Sequence, residues 1–408
     1  MNLRLAINVE DFRRLARRRL PKLVFDFMDG GVLDECTRDA NERDFRRIEL
    51  RPKACATLTD FNTGTSVLGT PVSFPLLVSP MGTLTMFHPE GDAAIARAAR
   101  KTGSIFMHSF VSGVTIEDTV KAIGDADRVW AQTTLRTPEE NEAYRRRVAN
   151  LGIRTLMIAA ETVGSDKRER DLHNGLATMP PRPPLKGLVD FALHPGWVYR
   201  WLTGPNTTFA DHRIDGNPIR MSQMYSFMGE YGRPNWSALQ RLRDSWDGNL
   251  VVKGIGTPED ALLAVDLGAD ALVVSNLGGR HFDGQPSTIS VLPDIVKAVR
   301  GIGSSIDIVV DGGVRRGSDI VRALALGATA AAAGRPFGYA IAAAGQEGAE
   351  KVFGIYREEF TATMKSVGAS TVREINSSVL HPGPLGTSGW HQAATGMGHA
   401  EASVVASH

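Results

Sequence analysis

Two cysteines, Cys36 and Cys55, are all that the 408 residues contain. That is too few for a disulfide framework or a thiolate metal site, and it fits a reducing compartment. No metal is expected. Long hydrophobic runs are missing as well. No uninterrupted apolar stretch approaches the roughly 18 residues that read as a membrane span, so a membrane is not an expected partner. The start, Met1-Asn2-Leu3-Arg4-Leu5, leads into charged residues and not into the apolar core of an export signal. The expectation is a cytoplasmic protein. Neither sign of charge is in excess: Lys and Arg number 46, Asp and Glu 45, for a net charge of +1. Such a balance carries no electrostatic footprint for nucleic acid.

What is present is ordinary for a folded protein, 42% hydrophobic and 22% charged. The length suits one large α/β barrel or two ordinary domains. Apolar runs occur at Pro75–Pro80, Ser104–Ser109, Arg128–Thr134, Thr155–Glu161, Leu250–Gly254, Ala271–Asn276, Asp307–Gly313 and Ala328–Gly334. Segments of helical periodicity lie between most of them: Gly91–Thr102, Thr115–Ile123, Pro138–Leu151, Ser237–Trp246, Pro258–Leu267, Thr288–Arg300 and Arg316–Leu326. Continuous apolar strands alternating with helices predict a parallel sheet covered by helices. Eight is the count that closes a (β/α)₈ TIM barrel. An open doubly wound sheet is the alternative, and no topological switch point is evident for it.

The expected organisation is a single barrel over residues 1–380. An N-terminal cap at 1–73 starts with two short helices, Glu10–Arg19 and Lys22–Met28, broken at Pro21, and continues through 36–73 as polar, irregular chain over the barrel mouth. The spacing fails again at 162–236, rich in proline, aromatics and charge. An insertion after the fourth strand reads as a lid or substrate loop, or as a surface for oligomer contacts. A long helix is expected over Tyr339–Val367, and the tail at 381–408 as poorly ordered.

Two loops at the end of the repeat point to phosphate. They are Asp311-Gly312-Gly313-Val314-Arg315-Arg316-Gly317-Ser318-Asp319 and Ala333-Gly334-Arg335-Pro336. In many barrels the loops after strands seven and eight hold a phosphate with backbone N–H groups and a helix N-terminus. Glycine permits the close approach, and Arg335 supplies charge-assisted hydrogen bonds.

Val273-Val274-Ser275-Asn276-Leu277-Gly278-Gly279-Arg280-His281-Phe282-Asp283 reads as a buried strand, a glycine turn and an exposed arginine. This stretch resembles the signature of the FMN-dependent α-hydroxy-acid oxidase and dehydrogenase family, where it runs Ser-Asn-His-Gly-Gly-Arg. The resemblance extends from residue 9 to around 370. It includes the two loops above, Leu20-Pro21-Lys22-Leu23-Val24-Phe25-Asp26-Phe27-Met28-Asp29-Gly30-Gly31, and, toward mandelate-dehydrogenase-like members, Arg168-Glu169-Arg170-Asp171-Leu172-His173-Asn174.

The resemblance implies FMN, with the backbone at Pro80, Met81 and Gly82 against the ring. It implies Ser109 and Gln132 hydrogen-bonded to the ring or ribityl chain, and Lys253 at the N1–O2 edge, where a cation stabilises reduced flavin. Outside that context Lys253 reads as a buried ion pair. Ser275, Asp311 and Arg315 would hold the ribityl chain and phosphate, with Gly313, Gly334 and Arg335. Arg168 and Arg280 would clamp a substrate carboxylate, for which the planar guanidinium fork is suited. The resemblance also implies a homotetramer or larger, and O₂ or another acceptor to reoxidise the flavin.

Four positions at the substrate pocket and one further position near the flavin depart from the pattern. The catalytic histidine is Leu277, its aspartate partner is Glu161, and two tyrosines correspond to Phe25 and Thr134. A threonine near the flavin corresponds to Ala160. Leucine accepts no proton, and losing a positioned base costs roughly 10²–10⁴-fold. Substitute bases are His281, His108 and Glu161; each also has a bland reading, as a loop histidine, a satisfied core histidine and an acid paired with an arginine. The expected activity is oxidation of a small anionic substrate, α-hydroxy or α-amino acid-like, by altered chemistry, suited to specialised biosynthesis. Alternatives are an FMN-dependent monooxygenase using O₂ and a flavin-binding protein without catalysis.

Overall fold

The computed structural model describes residues 3–133, 137–160, 166–176, 182–204, 207–214, 217–220, 223 and 234–382. Its centre is a closed barrel of eight parallel strands, Leu76–Val78, Phe106–His108, Val129–Thr133, Thr155–Ala159, Asn249–Ile255, Ala271–Val274, Asp307–Val310 and Ala330–Ala333, in chain order round the ring. Seven of the expected apolar runs contain one of these strands, and the eighth, Leu250–Gly254, lies inside the strand Asn249–Ile255. The runs are continuous because both faces of a parallel barrel strand are buried. Alternate residues divide into two apolar layers. Leu77, Met107, Trp130, Met157, Val251, Val273, Val309 and Ala332 fill the barrel. Val78, Phe106, Ala131, Ile158, Val252, Val274, Val310 and Ala333 face the helices.

The seven expected helices between the strands form within a residue or two of their predicted ends. The last helix begins earlier than expected, at Arg335, and runs to Val367 with a break at Ala344 and Gly345. Gly345 has φ +56, and a Cβ there would lie 2.9 Å from His88 Nε2, so glycine is required.

The segment 36–73 is irregular only in part, over 48–64. It contains a helix, Cys36–Arg47, whose buried side includes the polar residues Thr37, Asn41 and Asp44. An amphipathic pattern search misses such a face. Asn41 exchanges amide hydrogen bonds with Asn276 at 2.9 Å each way, and Ser287 Oγ donates to Asp44 at 2.7 Å. These contacts fix the helix at the mouth. The following hairpin, Thr65–Val67 with Thr70–Val72, caps the opposite end. Its Val67 and Val72 complete the inner core, and Leu68 N donates to Asp307 Oδ2, at the start of the seventh strand, at 2.6 Å.

The insertion is also structured where described. It contributes helices Glu169–His173, Leu185–Ala192 and Pro195–Thr203 and an antiparallel pair, Thr208–Ile214 with Asn217–Arg220. The expected tail, from 383 on, lies outside the described residues.

Candidate active site

Strand alternation builds the site. The residue two beyond each inner-core side chain emerges at the C-terminal rim, on the inner side. That rule brings Ser79, Ser109, Gln132, Lys253, Ser275 and Asp311 around one opening, and all six are buried. Lys253 Nζ donates to Ser275 Oγ at 3.0 Å and stands 4.0 Å from Asp311 Oδ2. Ser79 Oγ donates to the same Asp311 oxygen at 3.2 Å. The other carboxylate oxygen, Oδ1, is buried with no partner among the described residues. A buried acceptor left open in this way calls for a donor such as a hydroxyl.

Beyond Asp311 the chain turns through Gly312 and Gly313, at φ +89 and +93. A Cβ on Gly313 would come within 2.0 Å of Asn41 O. The helix that follows, Gly317–Ala325, is already capped: Arg315 N and Arg316 N both donate to Asp319 Oδ2 at 2.9 Å. The neighbouring helix start at Gly334 and Arg335 has no side-chain cap. Two partly buried arginines frame this corner. Arg315 donates to Glu42 Oε1 at 2.9 Å. Arg335 donates to Gly278 O and Gly30 O, both at 2.8 Å, and to Met28 O at 3.3 Å. Burial pulls the Arg335 guanidinium down to about 10, and the like charges of Arg315 and Arg38 add to the effect.

On the other side of the opening, two backbone stitches bring Arg168 and Arg280 together. Leu33 N donates to Lys167 O at 3.0 Å, and Val32 N to Gly279 O at 3.1 Å. Both guanidiniums then lie over one ring, Phe27, at 5.4 Å for Arg280 and 5.9 Å for Arg168. Arg280 donates to Gly30 O at 3.0 Å and more weakly to Met28 O. Burial first, then the charges of Arg168 and Arg335, push its guanidinium well below the usual arginine range. Packed like charges with few acidic partners favour an arriving anion. The nearby acid is Asp171, whose carboxyl is raised by burial, against the pull of Arg280 and Arg168.

Leu277 sits between these two regions on a left-handed turn. Leu277, Gly278 and Gly279 have φ of +51, +61 and +71. Leu277 N donates to Ser275 Oγ, the hydroxyl that also accepts from Lys253.

Residues 16–382 match the family model described as FMN-dependent dehydrogenase. The chain is 33% identical over 369 residues to the peroxisomal (S)-2-hydroxyacid oxidase GLO3 of Arabidopsis thaliana, covering 90% of this chain and 94% of that one. It is 35% identical over 380 residues to an L-lactate dehydrogenase of Ectopseudomonas mendocina, covering 91% and 97%. Among solved structures, the monotopic membrane protein (S)-mandelate dehydrogenase superposes with a TM-score of 0.86 at 32% identity, covering 93% of this chain and all of that one. The chain belongs to the FMN-dependent dehydrogenase family.

FMN is therefore the cofactor of this oxidoreductase, and the residues present fit it. The open Asp311 Oδ1 suits a ribityl hydroxyl, and Arg315, Arg335 and the uncapped helix start at Gly334 suit a phosphate. Lys253 is the buried cation on the rim. Gly82 permits close approach next to Pro80 and Met81, since a Cβ there would meet Val111 Cγ2 at 2.4 Å. Replacing Gly313 with alanine is expected to cost about 1–3 kcal/mol, from the left-handed φ and the clash with Asn41 O. Flavin should be lost with it; thermal unfolding and the absorbance of the purified variant measure both.

Two expectations, His108 and Ala160, need correction. His108 is not at the opening. Met107 occupies the inner position, so His108 points outward, pairing with Thr119 Oγ1 at 3.0 Å and Asp211 Oδ2 at 2.7 Å. Burial opposes its protonation, but the Asp211 bond together with the negative charges of Asp211 and Asp92 outweighs this and raises its pKa. Phe25 stacks on Tyr339, with centroids 6.4 Å apart, and the ring beneath the arginines is Phe27. Ala160 packs with the outer layer, and alternation gives the inner position to Ala159. His281 is on the Arg280 loop, and its carbonyl accepts from Asp166 N at 2.8 Å. Glu161 and Thr134 lie outside the described residues. Sequence reasoning missed Phe27, Asp171, Ser79 and Asn41. Period-two alternation from Leu77 could have found Ser79.

Proposed function

We propose that this enzyme oxidises a small anionic substrate of α-hydroxy or α-amino acid type, by a course that does not depend on a base at position 277. The observation that carries the reading is Arg168 and Arg280 over one aromatic ring, with Arg280 three residues along the chain from Leu277. The arginine pair supplies carboxylate recognition, because two guanidiniums crowded with limited compensation gain most from an anion. Bound FMN supplies a two-electron acceptor. Leucine contributes no proton acceptor, and a hydroxyl with a pKa far above 7 keeps its proton without one. An amine nitrogen in its free-base form has its own lone pair. Its α C–H bond can be broken as hydride while that pair forms the C=N bond. Amines and α-amino acids are thus the favoured substrates, and a place in specialised biosynthesis goes with the altered chemistry.

Anaerobic bleaching of the flavin with a panel of amines, α-amino acids and hydroxy acids tests this. At least one amine or amino acid should bleach it, with lactate and mandelate slower by roughly 10² or more. Fast bleaching by lactate or mandelate would overturn the reading.

A further inference from the structure

Three consecutive residues of the insertion grip the loop that carries Ser109. Ala210 N donates to Ser112 O at 2.9 Å. Asp211 Oδ2 accepts from His108 Nε2 at 2.7 Å, and His212 Nε2 donates to Phe110 O at 2.6 Å. The residues held in this way, His108, Phe110 and Ser112, lie on both sides of Ser109. From the same antiparallel pair, Phe209 and Ile219 pack with Val111. Val111 O accepts from Thr83 N at 3.0 Å, so the loop also backs the turn at Pro80, Met81 and Gly82.

The pair at the centre of this grip is costly. The His108 and Asp211 side chains are 0% and 1% exposed, and taking two charges out of water is repaid only by good geometry and further hydrogen bonds. Both are present. Asp211 Oδ1 accepts from Ile116 N at 3.0 Å and from Arg147 Nη2 at 2.8 Å, and His108 Nδ1 meets Thr119 Oγ1 at 3.0 Å. Burial would raise the Asp211 carboxyl, but His108 and Arg147 bring it below its ordinary value, so it is ionised. One carboxylate thereby joins the end of the second barrel strand to the helices Ile116–Ile123 and Pro138–Asn150. Two apolar side chains would bury as well, but they would not fix the register of the strand Thr208–Ile214. A slip of one residue would set Ala210 or His212 against the buried imidazole and leave three donors without their acceptor.

What the grip holds is a donor. Ser109 is buried on the rim of the opening, and its Oγ accepts from Val111 N at 3.3 Å. Its hydroxyl proton has no acceptor among the described residues. We propose that Asp211, His108 and His212 are positioning residues for the cofactor. By fixing the loop on both sides of Ser109 they aim its hydroxyl proton at the flavin, and this part of the insertion is a fixed bracket, not a lid. The inference rests on FMN occupying the rim opening and is independent of which substrate is oxidised.

The test is the dissociation constant for FMN, read from flavin fluorescence on serial dilution of the full flavin-loaded protein, with thermal unfolding alongside. Ser109→Ala should raise it about tenfold, the worth of one hydrogen bond. His108→Leu should raise it by about as much, and His108→Gln, whose amide can still donate to Asp211, should return it to within about threefold of the parent. The double variant His108→Leu with Ser109→Ala should bind no more weakly than the weaker of the two single variants, because both act through one hydroxyl. His212→Phe keeps a ring against Phe110 and removes the hydrogen bond to Phe110 O. It carries the test where His108→Leu does not fold, with an expected rise of about threefold or more. The proposal is overturned if His108→Leu, or His212→Phe in its place, lowers the melting temperature yet binds FMN as the parent does, which would make the bracket purely structural. It is equally overturned if Ser109→Ala binds as the parent does, or if the two losses multiply in the double variant.

Discussion

Leu277→His is expected to accelerate anaerobic flavin reduction by lactate or mandelate by about 10²–10⁴-fold, the usual worth of a positioned general base. The backbone is ready for it. Leucine at φ +51 is in the left-handed region, where an ordinary side chain costs roughly 1–2 kcal/mol. Histidine is several-fold enriched there among non-glycine residues. The substitution therefore adds no backbone strain, and thermal stability should hold. The turn is also fixed from below, by Leu277 N on Ser275 Oγ and by Lys253 on the same hydroxyl. The new imidazole would share a loop with Arg280, so base and carboxylate clamp would be carried by one rigid turn. Stopped-flow absorbance of the flavin with each hydroxy acid measures the gain. An unchanged rate in a fully flavin-loaded variant would show that the leucine does not set the chemistry, and would shift attention to Glu161 and Thr134.

The barrel was legible because parallel strands buried on both faces leave unbroken apolar runs, and because the helices between them carry ordinary apolar stripes. What such runs hide is which residue faces inward. His108 and Met107 are neighbours on one strand, and a shift of one residue exchanges barrel lumen for helix layer. Phe25 and Phe27 show the same limit on a helix. Two residues apart there is a rotation of about 200°, so a motif that contains both rings does not say which meets the arginines. Burial on Tyr339 decided the matter for Phe25. The helix Cys36–Arg47 was invisible for another reason: its inner side is held partly by Asn41 and Asp44 hydrogen bonds, which leave a weakened apolar period. The cofactor end was legible because glycine and arginine at fixed spacing have few other uses. The substrate end depends on contacts between segments more than 100 residues apart, such as Phe27 with Arg168, and no local pattern encodes those.

The acid that organises those segments is Asp29, and Asp29→Ala is expected to destabilise the protein by about 3–5 kcal/mol, the range for breaking a buried ion pair from one side. Asp29 is fully buried at the end of the helix Lys22–Asp29. It accepts from Arg13 Nε at 2.6 Å and Nη2 at 2.9 Å, from Arg170 at 3.0 Å and from Tyr339 at 2.7 Å, with Arg38 at 3.5 Å. Arg13 and Arg170 are about a third exposed, so water screens part of their share and the lower end of the range is the better guide. Removing the carboxylate would leave these cations facing one another, next to the Met28 and Gly30 carbonyls that hold Arg280 and Arg335. Flavin retention should therefore fall with stability. The pH dependence has a definite sign. Burial alone would raise the Asp29 carboxyl, but the Arg13 hydrogen bond and the Arg38 charge hold it far below the usual carboxylate range. A depressed carboxyl contributes stability that is complete above its unfolded value of 3.8 and is lost as pH falls from there toward the folded value. The wild-type minus Asp29→Ala difference in urea unfolding should be constant from pH 7 to about 5 and shrink below about 4. A difference under about 1 kcal/mol at pH 7 would place this cluster with surface ion pairs, and the N-terminal cap would then need another explanation for how it positions Phe27 under the two arginines.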